Sequence, residues 1–140
     1  MTKVLVIGSE GYLGSRLTDY LLERGYSVTG SDVGFFRHGI LHYPRSVQTF
    51  QTDAREIDEK LISSSDVVIL LAGISNDPVG GLRPDLVYDP TRKYAYEIAS
   101  MCKKLGKKFI FPSSCSVYGI ADGIQDEDGT TNPQTPYSLN

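Results

Sequence analysis

Val4-Leu5-Val6-Ile7-Gly8-Ser9-Glu10-Gly11-Tyr12-Leu13-Gly14 is the stretch from which the rest of the chain is read. A short unbroken apolar run ends in three glycines spaced three apart, and Leu13, Leu17, Tyr20 and Leu21 then recur at helical spacing. The pattern predicts a buried parallel strand, a tight turn and an amphipathic helix packed back on the strand. Each glycine has a physical reason. Gly8 takes a left-handed turn, Gly11 lets the backbone approach a diphosphate, and Gly14 brings helix and strand close. The helix N-terminus offers free N–H groups and partial positive charge to the anion. Asp32 follows Gly11 by about 20 residues, at the end of a second apolar strand, where an acidic side chain holds an adenine ribose. GxxGxxG alone signals little more than tight packing. Set after a strand, before a helix and with Asp32 following, it points to a dinucleotide site.

Moving outward, the chain of 140 residues predicts one domain over 1–140, long enough to bury a core. Its net charge of −3 argues against a general binder of nucleic acid or of acidic membranes. No apolar run approaches the roughly 18 residues of a membrane span. Met1-Thr2-Lys3 leads straight into Val4–Ile7, too short for a signal-peptide core, so the expected location is cytoplasmic. Cys102 and Cys115 form no CxxC pair and are expected as reduced thiols.

The first helix is expected from Gly11 to Arg24, stopped by Gly25, and the second strand over Ser27–Asp32. Phe35–Arg45, broken by Gly39 and Pro44, reads as loop with a short helical turn. Gln48–Thr52 reads as a third strand ending at Asp53. Arg55–Ser63 places Ile57, Leu61 and Ile62 on one helical face, and Asp66–Ala72 is an intensely apolar fourth strand. Gly73–Pro90 is expected as loop at its start. A long helix follows, with Tyr94, Ile98, Met101, Cys102 and Leu105 as one buried stripe, Lys93, Glu97, Lys103 and Lys104 opposite, and Gly106 at its end. Phe109-Ile110-Phe111 is the fifth strand. Tyr118–Pro136 is polar loop, and Pro136-Tyr137 opens another helix. Strands alternating with helices predict an α/β doubly wound, Rossmann-type parallel sheet of order 3-2-1-4-5, with helices on both faces and ligands at the switch between strands 1 and 4. Gly8, Asp32, Asp53, Ala72-Gly73 and Ser113-Ser114 all fall at the carboxyl ends of strands.

Ser113-Ser114-Cys115-Ser116-Val117-Tyr118-Gly119 follows strand five, and Tyr137 follows a proline-containing loop. A hydroxyl and a phenol at these places suit chemistry over a nicotinamide. A phenol of pKa near 10 acts as a base at neutral pH only with a cation close by. From spacing alone, a serine-rich strand end is turn chemistry and a single tyrosine is packing.

Taken together, these residues resemble the extended short-chain dehydrogenases/reductases, in particular the NAD-dependent sugar-nucleotide epimerase/dehydratase group. The resemblance runs over all 140 residues, which are similar to the N-terminal half of such an enzyme. It rests on Gly8 to Gly14, Asp32, Asp53-Ala54, Leu71-Ala72-Gly73, Phe109 to Gly119 and Pro136-Tyr137. It implies that Gly8, Glu10, Gly11, Tyr12, Leu13, Gly14 and Asp32 line the NAD site. Asp53 then meets the adenine edge with Ala54 beside it. Leu71, Ala72 and Gly73 lie against the cofactor, and Pro112 and Ser113 lie near the nicotinamide end. Ser114 corresponds to the hydroxyl that binds the reacting sugar oxygen, and Tyr137 to the acid/base of Tyr-x-x-x-Lys. Hydride transfer at the C4 of a nucleoside-diphosphate sugar follows from the same resemblance.

Departures narrow the reading. The motif lysine falls one residue past Asn140, and the sugar-binding half lies outside these residues, so the 140 residues alone are expected to be inactive. Lys93 stands where many members carry asparagine. Cys115-Ser116 stands where 4,6-dehydratases carry Asp-Glu, which favours an epimerase or a 4-keto reductase. The competing class is a non-enzymatic NAD-binding or sensing module. Arg16 and Arg37 hint at NADP, but Asp32 repels a 2′-phosphate and favours NAD. His38 and His42 lack a third ligand, so no metal is expected. Strand five, left open at the sheet edge, makes self-association or a mobile tail from Gly119 to Asn140 the expectation.

Overall fold

The computed structural model describes residues 1–39, 47–74 and 83–139, with only the backbone of 84–90. The loop expected over Phe35–Arg45 lies outside these residues from position 40 onward, and so does the loop after Gly73 over 75–82. The chain forms two compact units. One comprises Met1–Gly73 and Tyr94–Phe111, the other Ile74–Lys93 and Pro112–Asn140.

The first unit is built on a five-stranded sheet of order β3-β2-β1-β4-β5. Its strands are β1 (Lys3–Ile7), β2 (Ser27–Asp32), β3 (Gln48–Gln51), β4 (Val67–Leu70) and β5 (Lys108–Ile110). Every pairing is parallel, with Val6 opposite Gly30 on one side and Ile69 on the other. β1 is buried on both faces because its side chains alternate between two cores. Leu5 and Ile7 join Ile57, Ile62, Val68, Leu70, Ile98 and Cys102. Val4 and Val6 join Val28 and Ile69, with Leu17, Leu21 and Leu22 against them. Each fully buried aliphatic side chain contributes about 1.5–3 kcal/mol. Helices therefore cover both faces. These are α1 (Tyr12–Glu23) on one, and α2 (Glu59–Ser63) with the Tyr94–Lys104 part of α3 (Pro84–Lys104) on the other.

Both long helices end by the same device. Gly25 has φ 77°; its N–H donates to the Leu22 carbonyl (3.0 Å), and the Tyr26 N–H to that of Leu21 (3.1 Å). Gly106 has φ 64°, and the Lys107 N–H reaches back to the Cys102 carbonyl (2.8 Å). These are Schellman closures, and glycine supplies the left-handed residue that each needs.

One expected element differs. The single helix over Arg55–Ser63 is instead a 3-10 turn, Ala54–Glu56, followed by α2. Ile57 between them is extended (φ −64°, ψ 124°). Asp58 causes the break: its side chain accepts the Leu61 N–H (2.8 Å) and caps a new helix. The long helix, α3, begins at Pro84, within the segment expected as loop only at its start, and its backbone runs through Pro90. Proline suits the first helical turn, whose N–H groups lack partners anyway. Pro90 removes one helix bond that the rest of a 21-residue helix outweighs.

In the second unit, a 3-10 turn, Cys115–Tyr118, packs with the short helix α4 (Pro136–Leu139). The Asn132 N–H donates to the Val117 carbonyl (2.9 Å), tying the intervening loop to the turn.

Candidate active site

The glycine turn is held by backbone bonds from both neighbouring strand ends. The Gly8 N–H donates to the Ser31 carbonyl (2.7 Å), and the Ile7 carbonyl accepts from Leu71 (2.8 Å) and Ala72 (3.0 Å). Gly8 has φ 91°, and a Cβ there would lie 2.6 Å from the Ala72 nitrogen. A Cβ on Gly14 would overlap the Gly8 carbonyl oxygen. Packing therefore demands both glycines. Gly11 differs: its φ of −77° is open to any residue, and its nearest neighbour would be the Gly8 oxygen at 3.4 Å. Gly11 is also the N-cap of α1, and no side chain caps that end. The N–H groups of Tyr12, Leu13 and Gly14 thus precede the first intrahelical donor, Ser15, which bonds the Gly11 carbonyl (3.0 Å). A missing Cβ beside an uncapped helix start fits a bound diphosphate.

Asp32 ends β2 half-buried, with both oxygens engaged. Oδ2 accepts the Glu10 N–H (2.9 Å) and Oδ1 the Gly34 N–H (2.8 Å). This fixes the carboxylate beside the glycine turn and leaves each oxygen a lone pair for a hydroxyl donor. Glu10 itself holds Arg37: Nε lies 3.1 Å from both Oε1 and Oε2. Asp53 is the N-cap of the 3-10 turn that contains Ala54, and it accepts from the Arg55 backbone, from Nε (2.9 Å) and from a terminal nitrogen (2.6 Å). Those side-chain bonds hold the Asp53 carboxyl below the usual carboxylate range, against a smaller opposing effect of burial.

Leu71 and Ala72 are half-buried and Gly73 is exposed, directly beyond β4. The Ala72 carbonyl accepts the hydroxyl of buried Tyr94 (2.9 Å), which anchors this strand end to α3. Tyr94 reads in the sequence as one member of an apolar stripe, and helical spacing carries no signal for its hydroxyl. The Glu10–Arg37 and Asp53–Arg55 pairs likewise leave no periodic trace.

In the second unit, Pro112 and Ser113 are exposed and Ser114 is half-buried. Ser114 is the N-cap of the Cys115–Tyr118 turn. Its Oγ accepts the Ser116 N–H (3.3 Å) and lies 2.9 Å from Ser116 Oγ. With Ser116 as the donor in that pair, Ser114 keeps its own hydrogen to give away. Tyr137 is half-buried in α4, and Ser138 locks the start of that helix by accepting the Thr135 N–H (2.9 Å). The turn capped by Ser114 and the helix bearing Tyr137 therefore lie against one another. Cys115 is a free, exposed thiol.

The model of the NAD dependent epimerase/dehydratase family matches residues 4–140. Among solved structures, TunA, an NAD-dependent NDP-hexosamine 5,6-dehydratase of tunicamycin biosynthesis, is 25% identical with a TM-score of 0.87, over 99% of this chain and 46% of that one. The UDP-N-acetylglucosamine 4-epimerase of Methanobrevibacter ruminantium M1 is 25% identical, TM-score 0.84, over 99% and 46%. The UDP-glucuronic acid 4-epimerase of Bacillus cereus, solved with NAD, is 28% identical, TM-score 0.82, over 98% and 48%. This chain spans under half the length of each. With the glycine turn, the capped Asp32 and the parallel 3-2-1-4-5 sheet, the match over nearly the whole chain establishes that it belongs to the NAD-dependent epimerase/dehydratase family.

Proposed function

We propose that these residues are the NAD-binding portion of a nucleoside-diphosphate-sugar epimerase or 4-keto reductase. One observation carries the cofactor assignment. Of three glycines in the turn, packing demands Gly8 and Gly14, whereas a Cβ on Gly11 would make no contact shorter than 3.4 Å, to the Gly8 oxygen, beside an uncapped helix end. Asp32 then holds the adenine ribose, Asp53 and Ala54 border the adenine, and Leu71 to Gly73 present backbone along the cofactor. Two of the neighbours named above are 4-epimerases of UDP-sugars, which supports a nucleotide sugar as substrate.

Bound NAD supplies the hydride acceptor for oxidation at the sugar C4. Tyr137, as its phenolate, would take the proton of the C4 hydroxyl and, as the phenol, return it in the reverse direction. Ser114 would donate a hydrogen bond from its hydroxyl to the same sugar oxygen and orient it. By the family resemblance, Pro112 and Ser113 are assigned to the nicotinamide end.

Titration of the chain with NAD tests the assignment. NAD binds more tightly than NADP, and Gly11→Ala lowers NAD affinity by about tenfold or more while the fold loses no more than about 1 kcal/mol, the scale of a changed helix cap. Unchanged NAD affinity in Gly11→Ala refutes the cradle. The 140 residues by themselves turn over no UDP-, GDP- or dTDP-sugar; turnover by the pure chain would mean that another residue supplies the cation Tyr137 requires.

A further inference from the structure

The loop after β2 carries an arrangement that the cofactor reading leaves unused. Asp32, Gly34, Arg37 and Glu10 form one cluster. Asp32 holds the backbone of Glu10 and Gly34. The Arg37 N–H closes a turn on the Gly34 carbonyl (3.2 Å). The Arg37 guanidinium and the Glu10 carboxylate pack over Gly34, where a Cβ would lie 3.3 Å from each. Nε of Arg37 meets both Glu10 oxygens at 3.1 Å, and a terminal nitrogen meets Oε1 at 3.1 Å. The Glu10 side chain is only 15% exposed and that of Arg37 41%, so a half-exposed guanidinium is held on a largely buried carboxylate, with the Nε–H shared between its two oxygens.

A phosphate on the 2′-oxygen of the ribose that Asp32 holds would arrive beside this cluster. It would meet the Asp32 carboxylate and want a guanidinium, the group with the matching donor geometry. Arg37 is that group, and Glu10 already engages it. We infer that Glu10 is a specificity-determining residue: by holding Arg37 it withholds the guanidinium from a 2′-phosphate, so the preference for NAD over NADP is set by the Glu10–Arg37 pair together with Asp32. The two glutamate oxygens do for Arg37 what the phosphate oxygens would otherwise do. The inference rests on the reading that the Gly8–Gly14 turn and Asp32 hold NAD.

The test measures dissociation constants for NAD and NADP on the same 140-residue chain and takes their ratio. Glu10→Gln lowers the NADP/NAD ratio of constants by about tenfold or more, the scale of one hydrogen bond to a charged group. The double variant Glu10→Gln/Arg37→Gln loses that gain, because the gain comes from the released guanidinium. A purely structural clasp would weaken both cofactors alike and leave the ratio unmoved, which overturns the inference. A gain that survives in the double variant also overturns it, since relief of repulsion from Glu10 would then be the cause. If Glu10→Gln does not fold, Glu10→Asp keeps the charge but shortens the reach, and the ratio falls part of the way. A fall that survives in Glu10→Asp/Arg37→Gln, or no fall at all, overturns the inference. Failure of the unaltered chain to bind NAD overturns the cofactor site and this inference together. NAD binding with an unmoved ratio overturns the inference alone.

Discussion

Gly11 and Gly14 stand three residues apart in one turn, yet an added methyl group means different things at each. At Gly14 it meets the Gly8 carbonyl oxygen and lies 2.8 Å from the Ser9 Cα, both backbone atoms that no rotamer change moves. Gly14→Ala therefore destabilises the fold by about 1–3 kcal/mol or more, as overpacking does, and its urea midpoint falls well below that of Gly11→Ala. Equal midpoints for the two variants would count against the close helix–strand approach. Asp53 supplies a prediction in pH. Hydrogen bonds from Arg55 depress its folded pKa below the unfolded value of about 3.9. The stabilisation is thus fully present above that value and is lost as pH falls from about 4 through the folded pKa. Because the pair is largely solvated, the effect is small. The stability gap between the chain and Asp53→Asn is flat from pH 5 to 7 and closes below about pH 4; a gap that changes between pH 5 and 7 would point to another group.

At the scale of elements, α3 does more than cover the sheet. Its apolar stripe buries Ile98 and Cys102, and burial pushes the Cys102 thiol up, away from thiolate chemistry. Tyr94 on the same stripe donates to the Ala72 carbonyl and so fixes the strand end implied to lie along the cofactor. Tyr94→Phe keeps the ring and removes this bond. It costs about 1 kcal/mol by denaturant unfolding and weakens NAD binding, since the freed carbonyl no longer pins the backbone beyond β4. Loss of stability with undiminished NAD affinity would mean that Ala72 does not touch the cofactor.

At the scale of the whole molecule, the two edges of the described sheet are unlike. β3 is Gln-Thr-Phe-Gln, with Gln48 and Gln51 exposed on either side of a 40% exposed Phe50, a more polar edge than β5. β5 pairs only with β4 among the described residues. Ile110 and Phe111 beside it are nearly half exposed, and the Phe111 ring stacks on Phe109 at 6.3 Å. We expect this apolar edge either to recruit a second copy or to leave the segment from Gly119 onward mobile. Sedimentation then gives a mass that rises with concentration and falls back in Ile110→Lys, or amide exchange is fast through the tail. A strictly monomeric chain with a protected tail contradicts both. No helix among the described residues is long and apolar enough to cross a membrane.

The local alphabet of this chain determined most of its architecture. The unbroken apolar run Val4–Ile7, the 3.6-residue stripes of α1 and α3, and the glycines that close those helices are short-range patterns. Each is dictated by backbone sterics and by the need to bury one face, so each is legible without the fold. The placing of Gly8 and Asp32 at strand ends, and of Gly11 and Gly14 at the start of α1, follows from the same patterns plus the handedness of parallel crossovers. Asp58 was equally local, but its capping competed with a continuous apolar face, and only packing showed that the cap won and left Ile57 extended. What the tertiary structure alone decided are pairings between residues 22 or 27 positions apart: Tyr94 with Ala72, Glu10 with Asp32, and Glu10 with Arg37. Such partners share no periodicity. They meet because loops return to the same sheet end, and that return is set by the sum of burial over the whole sheet rather than by any stretch of the chain.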